Sequence, residues 1–232
     1  RAKMAGDKNM NIVEYPDADI LAIELANRLA GELGQVLDHS GRASFVVPGG
    51  TTPGPIFDAL CAADLDWARV DVMLSDERWV PEVHVRSNTR LIRERLLTSR
   101  AAAAQFIPLY AKADRPEDVL PELEAGIITR LPISLLLLGM GEDMHTASLF
   151  PGAEGTEAGL AADAPVLVPV RPKDQDVRVS MSARVLRDAV STHLVIVGQK
   201  KRQAIEKAQH LFPEVAPVAS VLDTAIVHWA ES

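Results

Sequence analysis

The sequence predicts an α/β fold with a mainly parallel sheet that is covered by helices on both faces. Three observations indicate this class. Short apolar segments alternate with helical patterns along the chain. The apolar segment at 133–138 carries no charge, as expected for a strand buried on both faces. Glycines and polar side chains follow several of these segments, where ligands bind in open α/β sheets.

The elements follow in order from their patterns. Helices are predicted over 17–38, 53–62, 88–97, 117–129, 183–189 and 200–210. Strands are predicted over 43–47, 70–74, 106–109, 133–138, 166–170, 177–181, 193–197 and 225–229. Asp17 suits the start of the first helix, while Pro53 and Pro121 suit first helical turns. Residues 151–165 read as a loop, either a mobile lid or a surface excursion.

Length and composition favour one domain. The chain has 232 residues, 47% of them hydrophobic, and shows no linker, so residues 11–232 are expected to form a single domain. Residues 1–10 are interpreted as a cloning or processing remnant and left out of the fold. No secretory signal is visible, and the longest apolar stretch, at 133–140, is too short to span a membrane.

The charge and the single cysteine restrict the functional class. A net charge of −8 argues against general nucleic-acid binding, although local cations can still bind an anionic ligand. Cys61 has no partner for an intramolecular disulfide, which fits a reducing, cytoplasmic environment. It lies in a predicted helix, so a packed structural thiol is favoured over a nucleophile.

The first segment whose residues are suited to ligand binding follows the strand at 43–47. Gly49 and Gly50 expose backbone N–H groups, Thr51 and Thr52 supply hydroxyls, and a helix begins directly afterwards. Such a loop suits a phosphate group. It is neither a P-loop nor a dinucleotide fingerprint, and a strand–helix turn with a threonine cap is the alternative.

The second segment follows the strand at 70–74. Arg78 is suited to clamp a phosphate, with Asp76 or Glu77 orienting it. Asn88 follows within reach of the same turn. The alternative is a salt-bridged turn with Asn88 capping the next helix.

The third segment, 139–150, follows the central strand. His145 is a candidate general base because its ordinary pKa lies near neutral pH, and Asp143 or Glu142 is suited to orient its imidazole. A capping or core role is the alternative for a single histidine. Metal binding is not favoured, since paired histidines and a cysteine partner are missing here. Ser148 lacks the Gly-x-Ser-x-Gly context of a nucleophile.

The fourth segment is cationic. Arg178 lies in a predicted strand, and Lys200 and Lys201 open a predicted helix after Gly198. Lysines there oppose the helix dipole, a conflict that a bound anion would remove. Solvated surface lysines are the alternative.

Together these segments resemble the 6-phosphogluconolactonase family, in the superfamily shared with glucosamine-6-phosphate deaminases. The matching pieces are collinear and span most of the chain. They are Pro48-Gly49-Gly50-Thr51-Thr52-Pro53, Ser75-Asp76-Glu77-Arg78-x-Val80-Pro81 with Ser87-Asn88, 138–152 around His145, Arg178, and Gly198-x-x-Lys201. The third piece is highly specific.

The resemblance implies a single Rossmann-like domain that hydrolyses 6-phosphoglucono-δ-lactone to 6-phosphogluconate, in the pentose phosphate pathway, with no metal or organic cofactor. It implies a monomer or weak homodimer that binds neither nucleic acid nor membranes. His145 matches the histidine that activates water, and Asp143 the acidic residue beside it. The implied substrate-binding residues are Gly49, Gly50, Thr51, Thr52, Asp76, Arg78, Asn88, Arg178 and Lys201.

Two departures from the family pattern bear on the site. Met144 stands where the family usually has glycine, so a left-handed backbone there would strain the loop; the alternative is a loop that tolerates another geometry. Pro48 replaces an expected small residue and removes one N–H donor. Two other functions remain open: a glucosamine-6-phosphate deaminase/isomerase and a non-catalytic sugar-phosphate sensor.

Overall fold

Seven parallel strands form the central sheet of the protein. The structure, a computed structural model, describes residues 10–232. Within them the strands are β1 Asn11–Tyr15, β2 Ala43–Val47, β3 Val70–Leu74, β4 Asp76–Arg78, β5 Gln105–Ile107, β6 Leu135–Leu138, β7 Leu167–Val170, β8 Arg178–Met181, β9 Ser191–Val197 and β10 Ala225–Ala230. The helices are α1 Ala18–His39, α2 Gly54–Leu60, α3 Asn88–Arg95, α4 Leu120–Ile128, α5 Thr156–Leu160, α6 Ala183–Arg187 and α7 Gln199–Ala208.

The order of strands in this sheet places a crevice at its centre. The order is β1-β10-β9-β6-β2-β3-β5, and all neighbouring strands are parallel. From β2 the chain proceeds outward to β3 and β5, then returns to the other side of β2 as β6. The loops that follow β2 and β6 therefore diverge, which is where open α/β sheets bind ligands. Strands β2, β3 and β6 are buried throughout, as expected for strands covered on both faces.

A second, antiparallel sheet lies beside the ends of the central strands. It has the order β4-β8-β7. Strand β4 begins two residues after β3 ends and pairs Arg78 with Arg178. This pairing brings two of the predicted cationic residues to one place.

The predicted α/β class is confirmed, and most predicted elements occur within a few residues of their expected ends. Asp17 caps α1 by accepting a hydrogen bond from the N–H of Ile20 at 2.8 Å. The prediction was wrong in three places. Strands β1 and β4 were not anticipated, and the segment predicted as a loop at 151–165 contains α5.

The reasons for these errors are visible in the packing. Strand β1 is short and its pairing with β10 joins residues at opposite ends of the described chain. Helix α5 is held by Gly159, where an added Cβ would approach Leu149 and Val168 to 2.7 and 2.9 Å. Its packing depends on neighbours that a local pattern does not contain.

The described part of the chain has no helix that is long and apolar enough to cross a membrane. Cys61 is buried with its thiol free, in agreement with the structural role predicted for it. The predicted remnant at 1–10 falls almost wholly outside the described residues; Met10, the exception, packs against the hydrophobic core.

Candidate active site

A cleft of about 250 Å³ opens where the loops after β2 and β6 diverge. Its walls combine the loops after β2 and β6 with residues of strands β4, β8 and β9 and the first turns of α3 and α7. The lining residues are Pro48, Gly49, Gly50, Thr51, Thr52, Pro53, Asp76, Arg78, Asn88, Gly139, Met140, Gly141, His145, Ala147, Arg178, Val195 and Lys201. Every residue predicted for the site lines the cleft except Asp143, which contacts a lining residue.

His145 is held by a tight loop after β6. The N–H of Gly141 donates to the carbonyl of His145 at 3.1 Å, and the N–H of Met144 donates to the carbonyl of Gly141 at 2.9 Å. Thr146 closes the loop from the other side, since its hydroxyl donates to the carbonyl of Gly139 at 2.8 Å. A Cβ on Gly141 would lie 2.3 Å from the imidazole, so only glycine lets the ring approach the backbone this closely.

Asp143 orients the imidazole of His145. Its Oδ1 lies 2.5 Å from Nδ1 of His145 and also accepts the backbone N–H of that residue at 3.1 Å. Partial burial acts to raise the pKa of Asp143, but the hydrogen bonds and charge of His145 outweigh it, and the pKa is lowered. An ionised Asp143 selects the tautomer with the proton on Nδ1, which leaves the Nε2 lone pair free as a base. Of the two acidic residues predicted to orient the imidazole, Asp143 is the one that contacts it.

Asp76 faces the cleft with both carboxylate oxygens engaged by hydroxyls. Ser75 donates to Oδ1 at 2.6 Å and Ser148 donates to Oδ2 at 2.5 Å. Ser148 is fully buried. Its hydroxyl therefore ties the His145 loop to the segment after β3.

Arg78 is oriented by neighbours other than the carboxylates predicted for this role. Its Nη1 donates to Oδ1 of Asn88 at 3.1 Å and to the carbonyl of Arg86 at 3.0 Å. Asn88 in turn donates from Nδ2 to the carbonyl of Asp76 at 3.0 Å. The alternative role of Asn88 as the helix cap is not observed: Ser87 caps α3 by accepting from the N–H of Arg90, while Asn88 accepts from Arg78.

Glu77 points away from the cleft because side chains alternate along a strand. It is fully buried at the start of α3 and contacts Arg78 only through the Arg78 backbone N–H, at 2.8 Å. Burial raises the pKa of Glu77, while hydrogen bonds from Thr89 and from backbone N–H groups oppose that shift.

Three cations converge on the cleft. Arg78, Arg178 and Lys201 all line it. Among the described residues none of the three forms an ion pair with a carboxylate, in contrast to most arginines here. Burial, and then the charge of Arg78, lower the pKa of Arg178. Three cations that line one cleft without ion-pair partners in the described part of the chain make the cleft suited to a multiply charged anion.

Phe150 contacts both His145 and Arg178. Its ring centroid lies 4.3 Å from that of His145 and 4.7 Å from the guanidinium carbon of Arg178. Neither Phe150 nor the orienting hydroxyl of Ser148 was predicted from the sequence, and Glu77 was predicted to orient Arg78 directly rather than through its backbone and Asn88. The only signal for Phe150 was its place in the highly specific segment around His145.

The loop after β2 completes the cleft. Gly50 has a φ of 86°, a left-handed conformation that favours glycine. A Cβ on Gly49 would lie 2.1 Å from Oδ1 of Asn88. The threonine cap considered as the alternative is absent: Pro53 is the N-cap of α2 and makes no side-chain capping bond. Thr51 and Thr52 line the cleft instead. The two lysines at the start of α7 differ in position: Lys201 lines the cleft, whereas Lys200 is exposed to solvent and is not part of the lining.

Residues 16–229 match the sequence model of the family described as glucosamine-6-phosphate isomerases/6-phosphogluconolactonase. The chain belongs to this family.

Similar proteins of the family cover nearly the whole chain. The chain is 37% identical to the 6-phosphogluconolactonase of Pseudomonas putida over 204 residues, covering 86% of this chain and 83% of that protein. It is 36% identical to the 6-phosphogluconolactonase of Rhizobium meliloti over 231 residues, covering 96% and 98%. The crystal structure of a 6-phosphogluconolactonase from Shewanella baltica superimposes with a TM-score of 0.93 at 30% identity, covering 97% and 99%.

Met144 adopts the left-handed backbone conformation that was one of the two alternatives for this position. Its φ is 68°, and Ala147 has a φ of 49° in the same loop. This member of the glucosamine-6-phosphate isomerase/6-phosphogluconolactonase family therefore keeps a left-handed backbone with a methionine. The carbonyl of Met144 accepts the N–H of Val218 at 3.0 Å, which helps hold the loop in place.

Proposed function

We propose that the protein is a 6-phosphogluconolactonase: it hydrolyses 6-phosphoglucono-δ-lactone to 6-phosphogluconate in the oxidative pentose phosphate pathway. The observation that carries the proposal is the joint occurrence, in one cleft, of a carboxylate-oriented histidine and three cations without carboxylate partners. The family and the names of its similar members support the same reaction.

In the proposed mechanism His145 acts as general base. Asp143 holds the Nδ1 proton, so Nε2 takes a proton from water as the water attacks the C1 carbonyl of the lactone. Asp143 also stabilises the imidazolium that forms. The protonated His145 then donates to the departing ring oxygen, which opens the lactone.

The cations hold the phosphate group away from the reacting carbon. We assign Arg78, Lys201 and the hydroxyls of Thr51 and Thr52 to the phosphate, with Arg178 as a further cation near His145. Phosphate binding then keeps the carbonyl in register with the base, so the remote binding energy serves orientation. The N–H of Gly141 already donates to His145, so we assign the oxyanion to the backbone of the Gly49–Gly50 loop.

The test compares lactone hydrolysis with its spontaneous rate for wild type, His145→Ala and His39→Ala. His39 is an exposed histidine at the end of α1 and serves as the matched control. We expect His145→Ala to lose roughly 10²–10⁴-fold in kcat and His39→Ala to keep full activity.

Two results would contradict parts of the proposal. Turnover that survives in His145→Ala would place the base elsewhere. No turnover by wild type, together with ammonia release from glucosamine-6-phosphate, would identify the deaminase activity instead.

A further inference from the structure

We propose that Glu77 is the positioning residue of the phosphate-binding arginine: its carboxylate holds Asn88, and Asn88 holds the guanidinium of Arg78. The inference rests on the proposed function for the role of Arg78. It adds a residue that does not itself line the cleft.

The carboxylate of Glu77 is surrounded by donors. Oε1 accepts the backbone N–H groups of Arg78 at 2.8 Å and of Asn88 at 2.7 Å. Oε2 accepts the N–H of Thr89 at 2.8 Å, its hydroxyl at 2.7 Å, and the hydroxyl of Ser87 at 3.2 Å. A fully buried carboxylate thus joins β4 to the first turn of α3.

This junction determines where Asn88 can lie. The backbone of Asn88 is held by Glu77, and its side-chain amide spans the short distance from the carbonyl of Asp76 to Nη1 of Arg78. Gly49 leaves the space for that amide, since a Cβ there would lie 2.1 Å from its oxygen. A displacement of Asn88 therefore moves the guanidinium that faces the ligand.

Glutamine cannot reproduce this arrangement although it has nearly the same shape. Its amide nitrogen is a donor. In the place of Oε1 it would face two backbone N–H groups, and in the place of Oε2 it would face the N–H of Thr89. In either orientation of the amide, its NH2 group therefore faces at least one backbone N–H group, and two donors cannot bond to each other. The first turn of α3 must shift to separate them.

The experiment measures KM and kcat for the phosphorylated lactone, and the Kd of inorganic phosphate by calorimetry, in wild type, Glu77→Gln and Ile92→Val. Ile92 is buried in α3 away from the cleft lining, so its variant loosens the same helix without touching Glu77. We expect Glu77→Gln to raise KM and the phosphate Kd by about tenfold, as for loss of one charge-assisted contact. Its kcat stays within about threefold of wild type. Ile92→Val lowers Tm and leaves KM and Kd unchanged.

Other outcomes overturn the proposal. An unchanged KM and phosphate Kd in Glu77→Gln, or equal changes in Ile92→Val, would reduce Glu77 to a helix cap. If Glu77→Gln does not fold, Glu77→Asp decides by the same criteria, because it keeps the charge but shortens its reach. If neither folds, Glu77 serves the fold and the proposal fails.

Failure of the proposed function gives a different result. Wild type would then show no lactone turnover, while the comparison of phosphate Kd values would still decide the role of Glu77.

Discussion

A chain of hydrogen bonds among residues that do not line the cleft leads to a quantitative prediction about acid stability. The hydroxyl of Tyr15 lies 2.7 Å from Nδ1 of His228, and Nε2 of His228 lies 2.8 Å from Nδ1 of His193. His193 is bonded through Nε2 to the carboxylate of Glu32. With Glu32 ionised, each neutral imidazole donates from Nε2 and accepts at Nδ1, so the chain is satisfied when His228 is uncharged.

The magnitude follows from the pKa of His228. Burial is the largest cause that lowers this pKa from 6.5 to about 3; electrostatic repulsion of a second proton by His193 and by Arg28 acts in the same direction, and Glu32 opposes it. Below pH 6.5 the unfolded chain binds a proton at this residue and the folded chain does not. The contribution of neutral His228 to the free energy of unfolding is therefore fully present above pH 6.5 and is lost progressively as the pH falls toward 3. Between pH 7.5 and 5 the loss is about 2 kcal/mol, at 1.36 kcal/mol per pH unit.

The assay is urea unfolding at a series of pH values for wild type and His228→Gln. Glutamine keeps a donor near the Nε2 position and does not titrate, so it removes the proton linkage. Its own stability at pH 7.5 is lower through imperfect packing, but the quantity compared is the change with pH. We expect wild type to lose about 2 kcal/mol more than the variant between pH 7.5 and 5.

Parallel curves for the two proteins would refute the reasoning. That result would mean that His228 is charged in the folded state or that its unfolded pKa is also depressed. Glu32 does not obscure the comparison: burial acts to raise its pKa, the hydrogen bonds from His193 and Ser191 outweigh this, and its lowered pKa lies below the measured window.

Three further predictions concern the cleft. Asp143→Asn removes the negative charge that selects the Nδ1-protonated tautomer of His145, because the amide offers an N–H donor as well as an oxygen acceptor. We expect kcat to fall by roughly 100-fold in steady-state kinetics; an unchanged kcat would contradict the pairing. Met144→Gly relieves about 1–2 kcal/mol of left-handed backbone strain. The greater flexibility of glycine in the unfolded chain offsets roughly 0.5–1 kcal/mol of this gain. Urea unfolding should then show a net gain of up to about 1.5 kcal/mol, and a clear loss would show that the methionine side chain contributes more than the strain costs. Gly49→Ala should displace Asn88 and raise the phosphate Kd by roughly tenfold, whereas Gly31→Ala, with open space around its Cβ, should leave it unchanged.

Much of this protein could be predicted from local patterns. The burial of the apolar segment at 133–138, the helix that starts after Asp17 and the glycine turn at Gly49–Gly50 all depend on neighbours in sequence. The same holds for His145 and Asp143, which lie two residues apart in one loop. Local sterics, periodicity and short-range hydrogen bonds are properties of the chain itself.

The orienting contacts could not be predicted in this way. Asp76 contacts Ser148 across 72 positions, and Phe150, in the segment after β6, contacts the guanidinium of Arg178 on β8. Glu77 looked like a partner for the side chain of Arg78, yet alternation along β4 turns it toward α3. The sequence by itself determined the alternating fold and the residue types of the cleft. Only the tertiary structure decided which cation meets which acceptor, because strand pairing and burial between distant segments set those distances.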